Sequence, residues 1–265
     1  MPRPVTVTYR VSSTPAEVAK AAAELFTSAV TAAVSARGIA RVAISGGTTP
    51  KAMFGLLADP SQVFVKQVPW DKLDLYWVDE RCVGPEDADS NYRMTREALL
   101  SKVPLPADRI HRMEGELNPE EGAARYEAAI RNGFKLEGAE TPTFDLVLLG
   151  MGDDGHTASL FPHTEALNDM THIVVANHVP QKETWRITLT WPVINQGREV
   201  AFLIEGDKKA QVLHDVLLGP YQPETYPSQI IRPASGKLTL LLDASAAAKL
   251  PPPANGGSTG VLELK

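Results

Sequence analysis

The chain has 265 residues, 43% hydrophobic and 22% charged, enough to bury a substantial core in one large domain or in two. Its formal net charge of −6 removes any global electrostatic case for nucleic acid, so an anionic substrate must be met by a local basic cluster. The single cysteine, Cys82, excludes an intrachain disulfide and fits a reducing compartment. No run approaches transmembrane length and residues 1–10 hold no long apolar stretch, so the cytoplasm is the expected location.

Val5–Val11 reads as the first strand. Thr14, Pro15 and Glu17 then supply an N-cap, a first-turn proline and a capping-box partner. A helix follows, with Val18, Ala22, Leu25, Ala29 and Ala33 on one face, and Gly38 ends it. Further strands are expected at Val42–Ile44, Leu73–Val78, Phe144–Leu149, Ile187–Thr190, Val200–Ile204 and Leu238–Leu242. Several are continuously apolar, as strands covered on both faces should be. Helical patterns occupy Asn91–Leu100, Glu120–Arg131 (after the start signal Asn118-Pro119-Glu120-Glu121) and Lys208–Leu217. Strand-helix alternation predicts an α/β fold with a mostly parallel, doubly wound sheet. The Pro- and Gly-rich stretch Pro251–Ser258 reads as a loose segment before a short C-terminal end. No linker divides the chain, so residues 1–265 are expected to form a single α/β domain.

Four of the strands end in polar clusters, and in open parallel sheets ligands bind where strands end at their carboxyl side. The first cluster, Ser45-Gly46-Gly47-Thr48-Thr49-Pro50, suits an anion: glycines allow close approach, hydroxyls donate, and Pro50 favours a helix start. It is equally readable as a plain Gly-rich turn, and it lacks the Gly-Lys-Ser/Thr ending of a P-loop. Asp79-Glu80-Arg81 follows the next strand. Glu205-Gly206-Asp207-Lys208-Lys209 follows another; with Asp207 as N-cap, two lysines fall in a first helical turn, where the macrodipole disfavours cations unless a bound phosphate reverses the effect.

The remaining cluster is Gly150-Met151-Gly152-Asp153-Asp154-Gly155-His156. Its Gly-x-Gly-x-x-Gly spacing fits a dinucleotide fingerprint, but no acidic residue ends a clear following strand, and its own acidic residues would crowd a pyrophosphate. Asp154 and His156 could ligate a metal, but no third ligand is evident. An imidazole exposed on a glycine-flanked turn, oriented by a carboxylate two residues earlier, suits general-base work near neutrality. The other histidines read as surface residues.

With these residues in view, the chain resembles the 6-phosphogluconolactonase family, within the larger glucosamine-6-phosphate isomerase/deaminase superfamily. The resemblance rests on Ala43–Pro50, Trp77–Arg81, Asp89–Tyr92, Gly150–Pro162, Arg186–Thr190 and Gly206–Ala210, with order and spacing kept from about Val42 to Leu213. It implies hydrolysis of 6-phospho-D-glucono-1,5-lactone to 6-phosphogluconate in the oxidative pentose phosphate pathway, with no metal and no organic cofactor. It implies a three-layer α/β sandwich with a Rossmann-like sheet and a small appended lobe. His156 becomes the general base and Asp154 its orienting partner. Ser45, Gly46, Gly47, Thr48, Asp79, Arg81, Asn91, Arg186 and Lys209 become substrate- and phosphate-binding residues, with Lys208 replacing Lys209 if the register shifts by one. Backbone N–H groups in the Gly150–Gly155 turn are candidates to stabilise charge on the carbonyl oxygen. The expected partner is a small sugar-phosphate lactone, with no nucleic acid and no membrane, and no residue specifies an oligomer.

Two rival readings remain. A sugar-phosphate isomerase or deaminase would use Asp79 as its base, but the Thr157-Ala158-Ser159-Leu160-Phe161-Pro162 run and Arg81 follow the lactonase pattern. A non-catalytic sugar-phosphate sensor would carry a DNA-binding segment, and no basic helix-turn-helix pattern is present.

Overall fold

The Thr14 hydroxyl accepts the Glu17 N–H at 3.3 Å, and the Glu17 carboxylate accepts the Thr14 and Ser13 N–H groups at 3.2 and 2.8 Å. This reciprocal box opens the first helix as the sequence predicts. Gly38, at φ +76°, closes it. The fold is seen in a computed structural model whose described residues run from 3 to 264; residues 1, 2 and 265, at the ends of the expected domain, lie outside the described residues.

The strands are β1 (Val5–Ser12), β2 (Ala40–Ile44), β3 (Leu73–Trp77), β4 (Asp79–Arg81), β5 (Ile110–His111), β6 (Leu146–Leu149), β7 (Val174–Val179), β8 (Thr184–Leu189), β9 (Val200–Ile204), β10 (Leu238–Asp243) and β11 (Thr259–Leu264). The α-helices are α1 (Pro15–Arg37), α2 (Thr48–Ala58), α3 (Phe64–Gln67), α4 (Asn91–Thr95), α5 (Pro119–Phe134), α6 (Trp191–Asn195) and α7 (Ala210–Leu218). Eight strands form one sheet in the order β11-β1-β10-β9-β6-β2-β3-β5. Every pairing in it is parallel except β1 with β11. Helices cover it, α1 packing on β2, β10 and α2, and the result is an α/β sandwich. Every residue of β3, β6 and β9 is buried, which is why β6 and β9 are continuously apolar. Along α1 the buried face includes Val18, Ala22, Phe26, Val30 and Ala33, while the expected Leu25 and Ala29 are half-buried at its margin.

A second, smaller sheet is antiparallel, in the order β4-β8-β7. The expected Ile187–Thr190 strand belongs here rather than in the parallel sheet. The chain crosses between the sheets at Val78, whose N–H donates to Ile44 of the main sheet and whose carbonyl accepts from Leu189 of the small one, both at 2.8 Å. Asp79 therefore starts β4 at the junction of the two sheets. Asn91–Leu100 is helical as expected, but its second half, Arg96–Leu100, is a π-helical turn.

Asp207 is not the N-cap the sequence suggests. Gly206, at φ +95°, precedes a 3-10 turn over Asp207–Lys209, and α7 begins only at Ala210. Asp207 instead accepts the Lys208 N–H at 2.9 Å. Both lysines thus precede the α-helix, and the macrodipole penalty assigned to them does not arise in that form. The Pro251–Ser258 stretch holds a 3-10 turn at Ala254–Gly256 and is hydrogen-bonded at both ends, from Tyr9 Oη to the Pro251 carbonyl (2.6 Å) and from the Val11 N–H to the Ser258 carbonyl (2.7 Å). The residues after it form β11, where Gly260 lets the Tyr9 ring approach. No helix of the described residues is long and apolar enough to cross a membrane.

Candidate active site

The sheet grows outward in both directions from the β2/β6 pair, and a cleft of about 310 Å³ opens at the carboxyl ends of β2, β6 and β9. This is the switch point at which such sheets bind ligands. All four polar clusters reach it: Ser45–Thr48, Asp79 with Arg81, Gly152 with His156, and Glu205 with Lys209 line its walls, joined by Asn91.

The anion end is built on a helix start. Gly47, at φ +117°, leads into α2, whose first turn has no side-chain cap among the described residues and so presents N–H groups to an anion. The Ser45 hydroxyl is buried and has no hydrogen-bond partner among the described residues. Gly46 has no room for a side chain, since a Cβ there would lie 1.9 Å from Asn91 Oδ1. Asn91 is fixed in turn by its own amide, which donates to the Asp79 carbonyl at 2.9 Å.

Glu80 organises this wall without lining the cleft. Its buried carboxylate accepts the backbone N–H groups of Arg81 (2.8 Å), Asn91 (2.7 Å) and Tyr92 (2.8 Å), and the Ser90 hydroxyl (3.1 Å). Four donors compensate a burial that would otherwise be prohibitive. They also pin the start of α4 and aim Asn91 at Gly46. Arg81 is braced by the Asp89 carbonyl at 2.5 Å. Arg186 sits opposite Arg81 in the β4–β8 register. It donates to Thr184 Oγ1 and the Trp185 carbonyl, both at 3.1 Å, and does not itself line the cleft. Burial, then the Arg81 charge beside it, push the Arg186 guanidinium below its usual range. Among the described residues neither guanidinium is paired with a carboxylate, and two such neighbours create a field that favours an anion.

His156 also lines the cleft; its Nδ1 lies 2.5 Å from Asp154 Oδ1, and the same oxygen accepts the His156 N–H at 3.1 Å. Burial alone would raise the Asp154 carboxyl, but the hydrogen bond and charge of His156 outweigh it and hold Asp154 at about 2. An ionised Asp154 accepts only, so Nδ1 carries the proton and Nε2 is left as the basic atom. The ring stacks on Phe161 at 4.0 Å between centroids. Gly152 makes space for the dyad: a Cβ there would stand 2.0 Å from His156 Nδ1 and 2.6 Å from Asp154 Oδ1. The Gly152 and Gly155 N–H groups are engaged inside the turn, with the His156 and Gly152 carbonyls respectively. These two amides are therefore engaged within the turn, and any backbone donor to a carbonyl oxygen would have to come from its other residues.

Asp79, between the two ends, accepts the Ser159 hydroxyl at 2.7 Å. Ser159 is itself held by Thr188 and Asn177. Ala158 reaches the cleft wall at φ +47°, a strained conformation for a residue with a Cβ. Lys209 lines the cleft and Lys208 does not; the Lys209 ammonium pairs with Asp153. Glu205, in the polar cluster after β9, also lines the cleft. Burial raises its carboxyl. Among the described residues no group of three or more His, Cys, Asp or Glu side chains is arranged to hold a metal ion. The sequence also left Glu80 and Ser159 without roles, because a carboxylate's or hydroxyl's partners are tertiary and leave no spacing signal.

Residues 13–240 match the family model described as glucosamine-6-phosphate isomerases/6-phosphogluconolactonase. The chain is 40% identical over 227 residues to the 6-phosphogluconolactonase of a Synechocystis species, covering 85% of this chain and 91% of that one. It is 41% identical over 219 residues to the 6-phosphogluconolactonase of a Nostoc species, covering 82% and 88%. Among solved structures, the 6-phosphogluconolactonase from Trypanosoma cruzi superposes with a TM-score of 0.79 at 29% identity, covering 94% of this chain and 97% of that one.

Proposed function

The chain belongs to the glucosamine-6-phosphate isomerase/6-phosphogluconolactonase family, and on that premise we propose that it hydrolyses 6-phospho-D-glucono-1,5-lactone to 6-phosphogluconate, in the oxidative pentose phosphate pathway. It would act in the cytoplasm as one α/β domain on a small sugar phosphate. The observation that carries this reading is one cleft lined by His156, which Asp154 orients, together with hydroxyls, a helix start and the cationic side chains of Arg81 and Lys209.

Ser45, Gly46, Gly47, Thr48, Arg81 and Lys209 hold the phosphoryl group, and Arg186 strengthens the field behind Arg81. Asn91 and Asp79 position the ring. Anchoring at the phosphate sets C1 against a water beside His156, converting binding energy into orientation. Nε2 takes a proton from that water as its oxygen bonds to C1. The C1–ring-oxygen bond then breaks, and the proton returns to the departing C5 oxygen. Asp154 stabilises the transient imidazolium and keeps the ring's tautomer. For a deaminase the base would be Asp79, but here its carboxylate is occupied by the buried Ser159 hydroxyl, which favours a positioning role.

If the phosphoryl group is the handle, the unphosphorylated D-glucono-1,5-lactone loses it. Its kcat/KM is expected to be lower by about 10²-fold or more, comparable with losing a buried charge-assisted contact. Initial rates with both lactones, corrected for spontaneous hydrolysis, decide this; equal values would remove the phosphate assignment.

A further inference from the structure

The cation assigned to the phosphate already has an anion of its own. Lys209 Nζ pairs with Asp153 Oδ1, and among the described residues no other ion pair of Lys209 is found. The two partners differ in surroundings: the lysine side chain is 23% exposed and lines the cleft, whereas the aspartate is 65% exposed and stands outside it. Asp153 also neighbours Asp154 in sequence, so the pair ties the Gly206–Lys209 turn to the turn that carries the dyad.

We propose that Asp153 is a displaceable counter-ion that competes with the substrate's phosphoryl group for Lys209 and so sets how tightly the cleft holds phosphorylated ligands. This rests on the reading of Lys209 as a phosphate contact. The exposed carboxylate gains little from its pairing, because water and salt screen it. A phosphoryl group carries up to two charges and meets the lysine inside the less exposed cleft, where attraction is stronger. Substrate therefore displaces Asp153, whose carboxylate turns to water at small cost. When the phosphorylated product leaves, Asp153 recaptures the ammonium, so Lys209 never stands unpaired. The Lys209 hydrogen bond holds the Asp153 carboxyl below the usual range, so the competitor stays charged through neutral pH.

The test is the dissociation constant of inorganic phosphate, measured by calorimetry on the full chain, with KM and kcat for the lactone beside it. Asp153→Asn is expected to bind phosphate about three-fold more tightly, the worth of an exposed ion pair, and the change in turnover should fall on KM rather than kcat. Asp153→Glu should restore the wild-type value. Asp207→Asn, which removes the same charge nearby without touching Lys209, should not tighten binding. Weaker binding by Asp153→Asn, or equal tightening by Asp207→Asn, overturns the proposal. Lys209→Ala reports on the premise: phosphate binding indifferent to it removes Lys209 from the phosphate site, and the competition with it.

Discussion

His156→Ala is expected to lower kcat for the 6-phosphorylated lactone by at least roughly 10²-fold, the usual worth of a positioned general base. KM should change by less than about three-fold, because the phosphoryl contacts are made by other side chains and bind ground and transition states alike. The ring is half-buried and its packing partner is Phe161, so circular dichroism and melting should show a folded variant. Asp154→Asn should also lower kcat, by a smaller factor, since an amide can present its NH₂ group to Nδ1 and favour the wrong tautomer. Because Asp154 is held at about 2, its own protonation does not contribute to any loss of activity between pH 5 and 8. A fully active His156→Ala enzyme would leave the family assignment standing and take His156 out of the chemistry.

Gly152→Ala is expected to produce nearly the same kinetic defect without touching a functional group. The added Cβ would sit 2.0 Å from Nδ1, 2.2 Å from Cε1 and 2.6 Å from Asp154 Oδ1, so the dyad must open. Gly152 does not have a positive φ, so the substitution brings steric pressure without backbone strain. A loss of about 10²-fold in kcat should follow from the displaced base. Gly150→Ala in the same turn is the comparison, for a Cβ there meets nothing within 4 Å; its loss should stay within about three-fold. Steady-state kinetics of the two variants separate the outcomes. Equal, small effects would mean that the observed dyad geometry is not the one used in turnover.

What the sequence made legible was mostly local. Thr14, Glu17 and Gly38 each act within four residues, so the limits of α1 followed from them. The buried strands β6 and β9 were visible as apolar runs because both of their faces are covered, and β3 as a run broken only by Asp74. The polar clusters after them were readable because this sheet type gathers ligands at strand ends.

The small antiparallel sheet was not legible. Strand β4 is three polar residues, Asp79-Glu80-Arg81, and looks like the loop after β3. Strand β7 mixes Asn177 and His178 into its run, so neither strand periodicity nor continuous apolarity marks it. Roles that depend on distant partners were hidden for the same reason. Glu80 draws its donors from residues 81 and 90–92, Ser159 meets Asp79 across 80 positions, and Asp153 meets Lys209 from another turn. Arg186, expected at the phosphate end, faces Arg81 in the β4–β8 register and is not among the residues that line the cleft.

The most direct test is to give the wild-type protein lactone freshly generated from glucose 6-phosphate, follow its consumption against a no-enzyme control, and measure ammonia release from glucosamine 6-phosphate in parallel. Lactone loss far above the spontaneous rate and no ammonia are expected. Lactone loss at the spontaneous rate, or ammonia release, would contradict the proposed function and return the base to Asp79.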